Sequence, residues 1–176
     1  MRVLDLSRLL PGPYCSRILA DYGFEVIKVE PPGGADWSRY APPLDPGTGQ
    51  GLLFNALHRG KKSLTVNLKT DEGRAILLQL AETADVLLET FRPGVMERLG
   101  LGYETLAQAN PRLVYCSLSG YGRTGRYRER AGPDLTYQGL AGLLVLTGPR
   151  EGPPAMPGVP LAELSGALWA TTGILR

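Results

Sequence analysis

Residues 2–30, RVLDLSRLLPGPYCSRILADYGFEVIKVE, read as a strand, a turn, a helix and a second strand, and this unit decides the fold. Val3, Leu4 and Leu6 form a short apolar run. The segment 7–13, SRLLPGP, then carries residues that cannot continue a strand ladder. Pro13 suits a first helical turn, and Ile18, Leu19 and Tyr22 recur at helical spacing before Gly23. Val26-Ile27-Lys28-Val29-Glu30 forms the next strand. Parallel strands joined by a helix bury both faces of their sheet, so further units of the same kind are expected.

They follow in order. After Glu30 comes a Pro- and Gly-rich stretch, 31–50, too irregular for a regular element and long enough to be functional. A short helix is expected around 52–57, then the basic turn His58-Arg59-Gly60-Lys61-Lys62, then a strand at 63–67. Thr70 is placed to cap a helix whose Ala75, Leu78, Leu80 and Ala81 face the sheet. A fourth strand is expected at 85–89, helical turns after Arg92-Pro93-Gly94 and over 103–109, and a fifth strand at 113–118. From Ser119 the chain becomes rich in glycine, with four arginines between Arg123 and Arg130, as in a loop that a ligand orders. Asp134 is expected to cap a helix over 135–146, weakened by Gly139 and Gly142. The final helix, 161–175, shows Leu161, Leu164, Leu168, Thr171 and Leu175 on one side and ends without a cap, as in a chain cut inside a larger design.

Composition narrows the function. At 176 residues and 43% apolar content, one domain spanning 1–176 is expected. A net charge of +2, with basic residues spread along the chain, argues against a nucleic-acid partner. No stretch approaches membrane-spanning length, which points to the cytoplasm. Cys15 and Cys116 show no metal-ligand spacing and read as buried reduced thiols, so no metal is expected.

Three groups of residues could carry chemistry. Gly12 at a helix start, with Glu30 at the end of the second strand, suits a phosphate and a ribose, although only one glycine of a G-x-G-x-x-G pattern is present. A turn glycine and a solvent-facing acid are the plain alternative. The cations Arg39, Arg59, Lys61, Lys62, Lys69, Arg92, Arg98, Arg123 and Arg126 follow strands, where they could converge on a polyanion or lie solvated. Asp134 and Glu163 each open an apolar helix, as catalytic acids or as helix-start charges. His58 is the only histidine.

Five runs carry a family likeness: 9–36 LLPGPYCSRILADYGFEVIKVEPPGGAD, 61–74 KKSLTVNLKTDEGR, 84–106 ADVLLETFRPGVMERLGLGYETL, 110–125 NPRLVYCSLSGYGRTG and 158–175 GVPLAELSGALWATTGIL. Together, and in this order, they resemble the family III CoA-transferases, which include formyl-CoA and carnitine CoA-transferases and the related alpha-methylacyl-CoA racemases. The resemblance implies an α/β fold, a Rossmann-like open parallel sheet flanked by helices, without the family's small domain. It implies CoA or acyl-CoA as substrate rather than a permanently bound cofactor, a carboxylic acid as second substrate, and a homodimer.

By the same likeness CoA is expected near Leu10, Val66, Lys69, Thr90, Phe91, Arg92 and Arg98, with Gly120, Tyr121, Gly122 and Tyr137 completing the set. Pro31 stands where several relatives have an arginine, and Arg39 is the expected replacement. Glu163 matches the nucleophilic aspartate of the family's G-V-P-x-A-D pattern, one methylene longer. Transfer of CoA through Glu163 is the first expectation. Racemisation is the second, with Pro133 at the racemase histidine position and Asp134 as the neighbouring acid. A CoA-binding remnant without turnover is the third. A shortened chain is also expected to expose apolar surface on 135–146 and on the last helix.

Overall fold

A computed structural model describes residues 1–34 and 36–176. Five strands form one sheet in the order β3-β2-β1-β4-β5, all neighbours parallel: β1 (Arg2–Asp5), β2 (Glu25–Glu30), β3 (Lys62–Thr65), β4 (Val86–Glu89) and β5 (Val114–Ser117). The chain builds outward from β1 to β3, then returns to lay β4 on the other side of β1. The carboxyl ends of β1 and β4 therefore flank the topological switch point, where open α/β sheets leave a crevice.

Alternation along the strands sends side chains to two buried faces, as a parallel sheet requires. On one face Leu4, Leu6, Val29 and Leu87 pack with Leu77 and Ala81 of α3 (Asp71–Ala81), Met96 of α4 (Val95–Arg98) and Leu106 of α5 (Tyr103–Ala109). On the other, Val3, Val26, Val86 and Leu88 pack with Cys15 and Leu19 of α1 (Pro11–Asp21) and with Ala167 and Ile174 of α7 (Leu161–Ile174). The remaining helices are α2 (Leu52–His58) and α6 (Asp134–Leu140). The Thr70 hydroxyl accepts from the Gly73 N–H at 3.1 Å and caps α3, as expected. Among the described residues no helix is long and apolar enough to cross a membrane.

Three local expectations change. Helix α1 starts at Pro11, so Gly12 lies inside its first turn instead of in the preceding loop. A Cβ on Gly12 would stand 2.1 Å from the Ser7 Cβ and 2.7 Å from the Thr90 methyl, so only glycine lets the helix approach this closely. The 135–146 helix is two pieces, because Gly142 at φ 77° ends α6 before a 3₁₀ turn over Leu143–Leu146. On α7 the buried stripe is Ala167, Thr171 and Ile174, while Leu161, Leu168 and Leu175 face outward, because small residues permit close packing of α7 on α1. Exposed apolar surface on these elements matches expectation, with Val145 and Leu146 each at 81% and Trp169 at 77%.

Charges buried between the sheet and α1 complete the frame. Asp5 and Lys28 are register partners on β1 and β2, and neither reaches water. The Lys61 ammonium donates to Asp5 Oδ2 at 3.1 Å, to Ser16 Oγ at 2.7 Å and to the Pro13 carbonyl at 3.0 Å. Ser16 Oγ donates to Asp5 Oδ2 at 2.6 Å, and the Ser7 N–H to Oδ1 at 3.0 Å. Burial alone would raise the Asp5 carboxyl, but Lys61, Lys28 and the two serines outweigh it and hold it far below the ordinary carboxylate range. Asp5→Ala would leave the buried Lys61 ammonium without a carboxylate, at a cost of about 3–5 kcal/mol. Urea unfolding should show that loss, and the paired Asp5→Leu/Lys61→Met variant should retain more stability than the single variant.

Candidate active site

A cleft of about 1240 Å³ opens at the carboxyl edge of the sheet, over the switch point. The turn after β1 contributes Arg8 and Leu9, the turn after β4 Thr90, Phe91 and Arg92, and the turn after β5 Ser119, Gly120 and Tyr121. The arginine-rich loop adds Arg128 and Arg130, α6 adds Tyr137, and the start of α7 adds Glu163. The Arg8 N–H donates to the Thr90 hydroxyl at 3.0 Å, which ties the first two turns together. At Gly120 a Cβ would fall 2.1 Å from the Tyr137 hydroxyl, so the β5 turn closes on α6 only with glycine there.

Glu163 sits in the first turn of α7, half-buried in the cleft wall. Its backbone N–H donates to Asp134 Oδ1 at 2.8 Å, and Asp134 Oδ2 accepts from the Gln138 amide. Asp134 therefore caps α7 rather than its own helix, whose N-cap residue is Pro133. This corrects the expected cap, because the acid lies nearer in space to another helix start. Burial, and secondly the Asp134 charge, raise the Glu163 carboxyl above the ordinary glutamate range. A carboxylate with a raised pKa is a more basic nucleophile once ionised.

Of the residues expected around CoA, Thr90, Phe91, Arg92, Gly120, Tyr121 and Tyr137 line this cleft together with Glu163. Leu10 precedes the lining residue Pro11, and Arg98 ends the short helix whose Val95 lines the wall. Gly122, at φ 74°, shapes the glycine turn beside Tyr121. Val66 and Lys69 follow β3, three strand spacings from β4, or about 14 Å at about 4.8 Å each.

Of the two alternatives for the cations, convergence on this cleft does not hold for most of them. Lys61 is buried on Asp5, Arg59 pairs with Asp21 at 3.4 Å, Lys62 with Glu25, and Arg123 with Glu97. Arg39 grips the buried Glu30 and lies over the Phe54 ring at 4.0 Å, lining a separate hollow of about 220 Å³. Glu30 is therefore neither solvent-facing nor free to hold a ribose. The cations that line the cleft are Arg8, Arg92, Arg128 and Arg130.

Several site residues escaped the sequence reading: Arg8, Leu9 and Trp37 on the wall, and Glu89 beneath it, while Arg128 and Arg130 belong to the loop expected to be ordered by a ligand. Glu89 Oε2 accepts from the Phe91 N–H at 2.6 Å and Oε1 from the Tyr115 hydroxyl at 3.3 Å, anchoring the β4 turn. A signal existed for the buried charges, since Asp5 and Lys28 interrupt strands that must be buried on both faces. His58 ends α2, stacked on Phe54 with ring centroids 4.2 Å apart and Nε2 3.8 Å from Asp36 Oδ2, away from the cleft.

The model of CoA-transferase family III matches residues 1–176. An acyl-CoA transferase of Fusarium pseudograminearum is 47% identical across 99% of this chain and 40% of its own length. An acetyl-CoA:oxalate CoA-transferase of Acetobacter aceti is 44% identical across 98% of this chain and 44% of its own. The crystal structure of a CAIB/BAIF family protein from Brucella suis superposes with a TM-score of 0.94 at 40% identity, over 99% of this chain and 47% of that one. The chain thus spans less than half the length of each of these proteins.

Burial lowers the His58 pKa against the opposing pull of Asp36, so the folded chain binds its proton less well than the unfolded one. Its contribution to stability is complete above about pH 6.5, the unfolded value, and is lost as pH falls toward the folded value. Glu89 and Glu163 have raised values and act in the opposite sense, losing stability as pH rises. The difference in melting temperature between wild type and His58→Leu isolates the histidine. Relative to the variant, wild type should lose stability between pH 7.5 and 5.5.

Proposed function

Because this chain belongs to CoA-transferase family III, we propose that it supplies the CoA site and the acyl-accepting carboxylate for moving CoA from a CoA thioester to a carboxylic acid. The observation that carries this is the position of Glu163, a half-buried carboxylate in the wall of a cleft whose opposite turns present Thr90, Phe91 and Arg92. An elongated ligand laid across the carboxyl ends of the strands can reach from Lys69 beyond β3 to this cleft. The guanidinium groups of Arg92 and Arg98 and the Lys69 ammonium suit its phosphates.

The chemistry balances on one side chain. A Glu163 oxygen attacks the thioester carbonyl, the C–S bond breaks, and CoA thiolate leaves a mixed anhydride. The thiolate attacks the glutamyl carbonyl and expels the first carboxylate, leaving Glu163 as a CoA thioester. An incoming carboxylate attacks that thioester to form a new anhydride, and the thiolate takes its acyl group, restoring Glu163. The thiolate released at each attack on a thioester is the nucleophile of the step that follows, and the donor acid departs as product, so no redox partner is needed. Asp134, held by the Glu163 N–H and by Gln138, is occupied in orienting α7, which supports transfer over racemisation.

Arg128 and Arg130 line the same cleft as Glu163, together with Tyr121 and Tyr137. They suit a second carboxylate, hence a dicarboxylic acid, the class to which the oxalate of the Acetobacter relative's name belongs. The exposed Val145, Leu146, Met156 and Trp169 support self-association, as in a dimer.

Incubation with an acyl-CoA should give a CoA adduct by mass spectrometry that hydroxylamine removes and Glu163→Gln lacks. Adduct formation requires the ionised acid, so it should decline as pH falls, with a midpoint above the value of about 4.3 for an ordinary glutamate. Calorimetry should show CoA binding weakened about tenfold in Arg92→Ala, the loss of one charge-assisted hydrogen bond. An adduct that persists in Glu163→Gln would refute the nucleophile.

A further inference from the structure

Two large apolar side chains stand at the rim of the cleft with little packed against them: Leu9, 47% exposed, and Trp37, 66% exposed. Side-chain burial therefore does not hold either wall in place. Leu9 moreover has φ 65° and is the only non-glycine residue at positive φ among those described. A leucine enters that left-handed region only when its surroundings compel it. The group that does so is one carboxylate.

Asp36 has no exposed surface. Its two oxygens accept from the Leu9 N–H at 3.3 and 3.2 Å. Oδ1 also accepts from the Ser38 N–H at 3.1 Å and the Ser38 hydroxyl at 2.6 Å, which caps the 3₁₀ turn Trp37–Arg39. The Lys28 ammonium lies 3.7 Å away and His58 Nε2 3.8 Å away. Burial alone would raise the Asp36 carboxyl, but the His58 ring, Ser38 and Lys28 bring it down to about 2, so the acceptor is an anion at neutral pH. A buried anion directed at backbone N–H groups makes stronger bonds than a neutral acceptor.

We propose that Asp36 is the positioning residue of the cleft, clamping Leu9 in its left-handed turn and Trp37 in its 3₁₀ turn so that Arg8, Leu9 and Trp37 present a preformed wall to CoA. The clamp crosses the chain from the β1 turn to the loop after β2, segments that share no strand. It touches no reacting atom. It acts by removing the alternative conformations that the wall would otherwise lose on binding. The CoA side of this proposal rests on the function proposed above, whereas the clamp itself rests only on the geometry of Asp36.

The test is a cycle of Asp36→Ala and Leu9→Gly on the full chain, because glycine adopts the positive φ without needing to be held. Hydrogen exchange should show the Leu9 amide opening about 100-fold faster in Asp36→Ala, with Asp36→Asn between that variant and wild type. CoA calorimetry should show Kd raised about tenfold by Asp36→Ala in the Leu9 background, and by about threefold or less in the Leu9→Gly background. Unchanged exchange at Leu9 would overturn the clamp, as would an equal loss of CoA affinity in both backgrounds. If Asp36→Ala does not fold, Asp36→Asn in the same cycle gives the same comparison. A wild-type chain that gives no heat with CoA would sink the CoA reading, and the exchange rates would still judge the clamp.

Discussion

The Asp5 carboxylate has no contact with water and is met by the ammonium of Lys61 at 3.1 Å, with Lys28 as its register partner on the next strand. That buried charge balance sets the geometry of everything above it. Asp5 stands at the end of the central strand, and its oxygens bind Ser7, where the chain leaves the sheet, and Ser16, on the helix that returns. Lys61 comes from the turn entering β3 and also binds the Pro13 carbonyl, so an edge strand is locked to the first turn of α1. Removing either sign would leave the other uncompensated in a low dielectric, and the elements cannot move apart without doing so.

A second tier of carboxyl groups, two buried and one partly exposed, builds on that frame. Asp36 holds the turn after β1 and the loop after β2, Glu89 holds the turn after β4, and Asp134 holds the start of α7. Each accepts from a backbone N–H in a loop or at a helix start, where no ladder or helix supplies a partner. The cleft walls are thus loops with anchors of the kind that regular elements do not need. Glu163 differs from these three in that its side chain is not consumed by a backbone donor among the described residues, which leaves it available for chemistry.

Much of this was legible in the chain. Apolar runs at 3–6, 26–29 and 86–88, each followed by a helical repeat, specify parallel strands with crossovers, and all five strands lie where the runs predict. Glu163 lines the same cleft as Thr90, Phe91 and Arg92. The cations were not legible. Lys61 sits in a basic turn next to the exposed Lys62, yet it is buried on Asp5, because a partner 56 residues away decides whether a charge is solvated. The helix over 135–146 failed for a local reason, as Gly142 takes a positive φ and the remaining leucines close into a 3₁₀ turn.

By itself the sequence determined the fold class, the order of its elements and the family, because hydrophobic period and turn residues act over a few positions and the family's runs lie in one order along the chain. Only the tertiary structure decided which acids are structural and which is free. Asp134 and Glu163 look alike as carboxylates opening apolar helices, and they are separated by a single hydrogen bond between α6 and α7. The left-handed turn at Leu9 likewise has no mark in its own residues. It exists because Asp36, 27 positions along, is folded beneath it, and such a long-range contact is created only when the sheet closes.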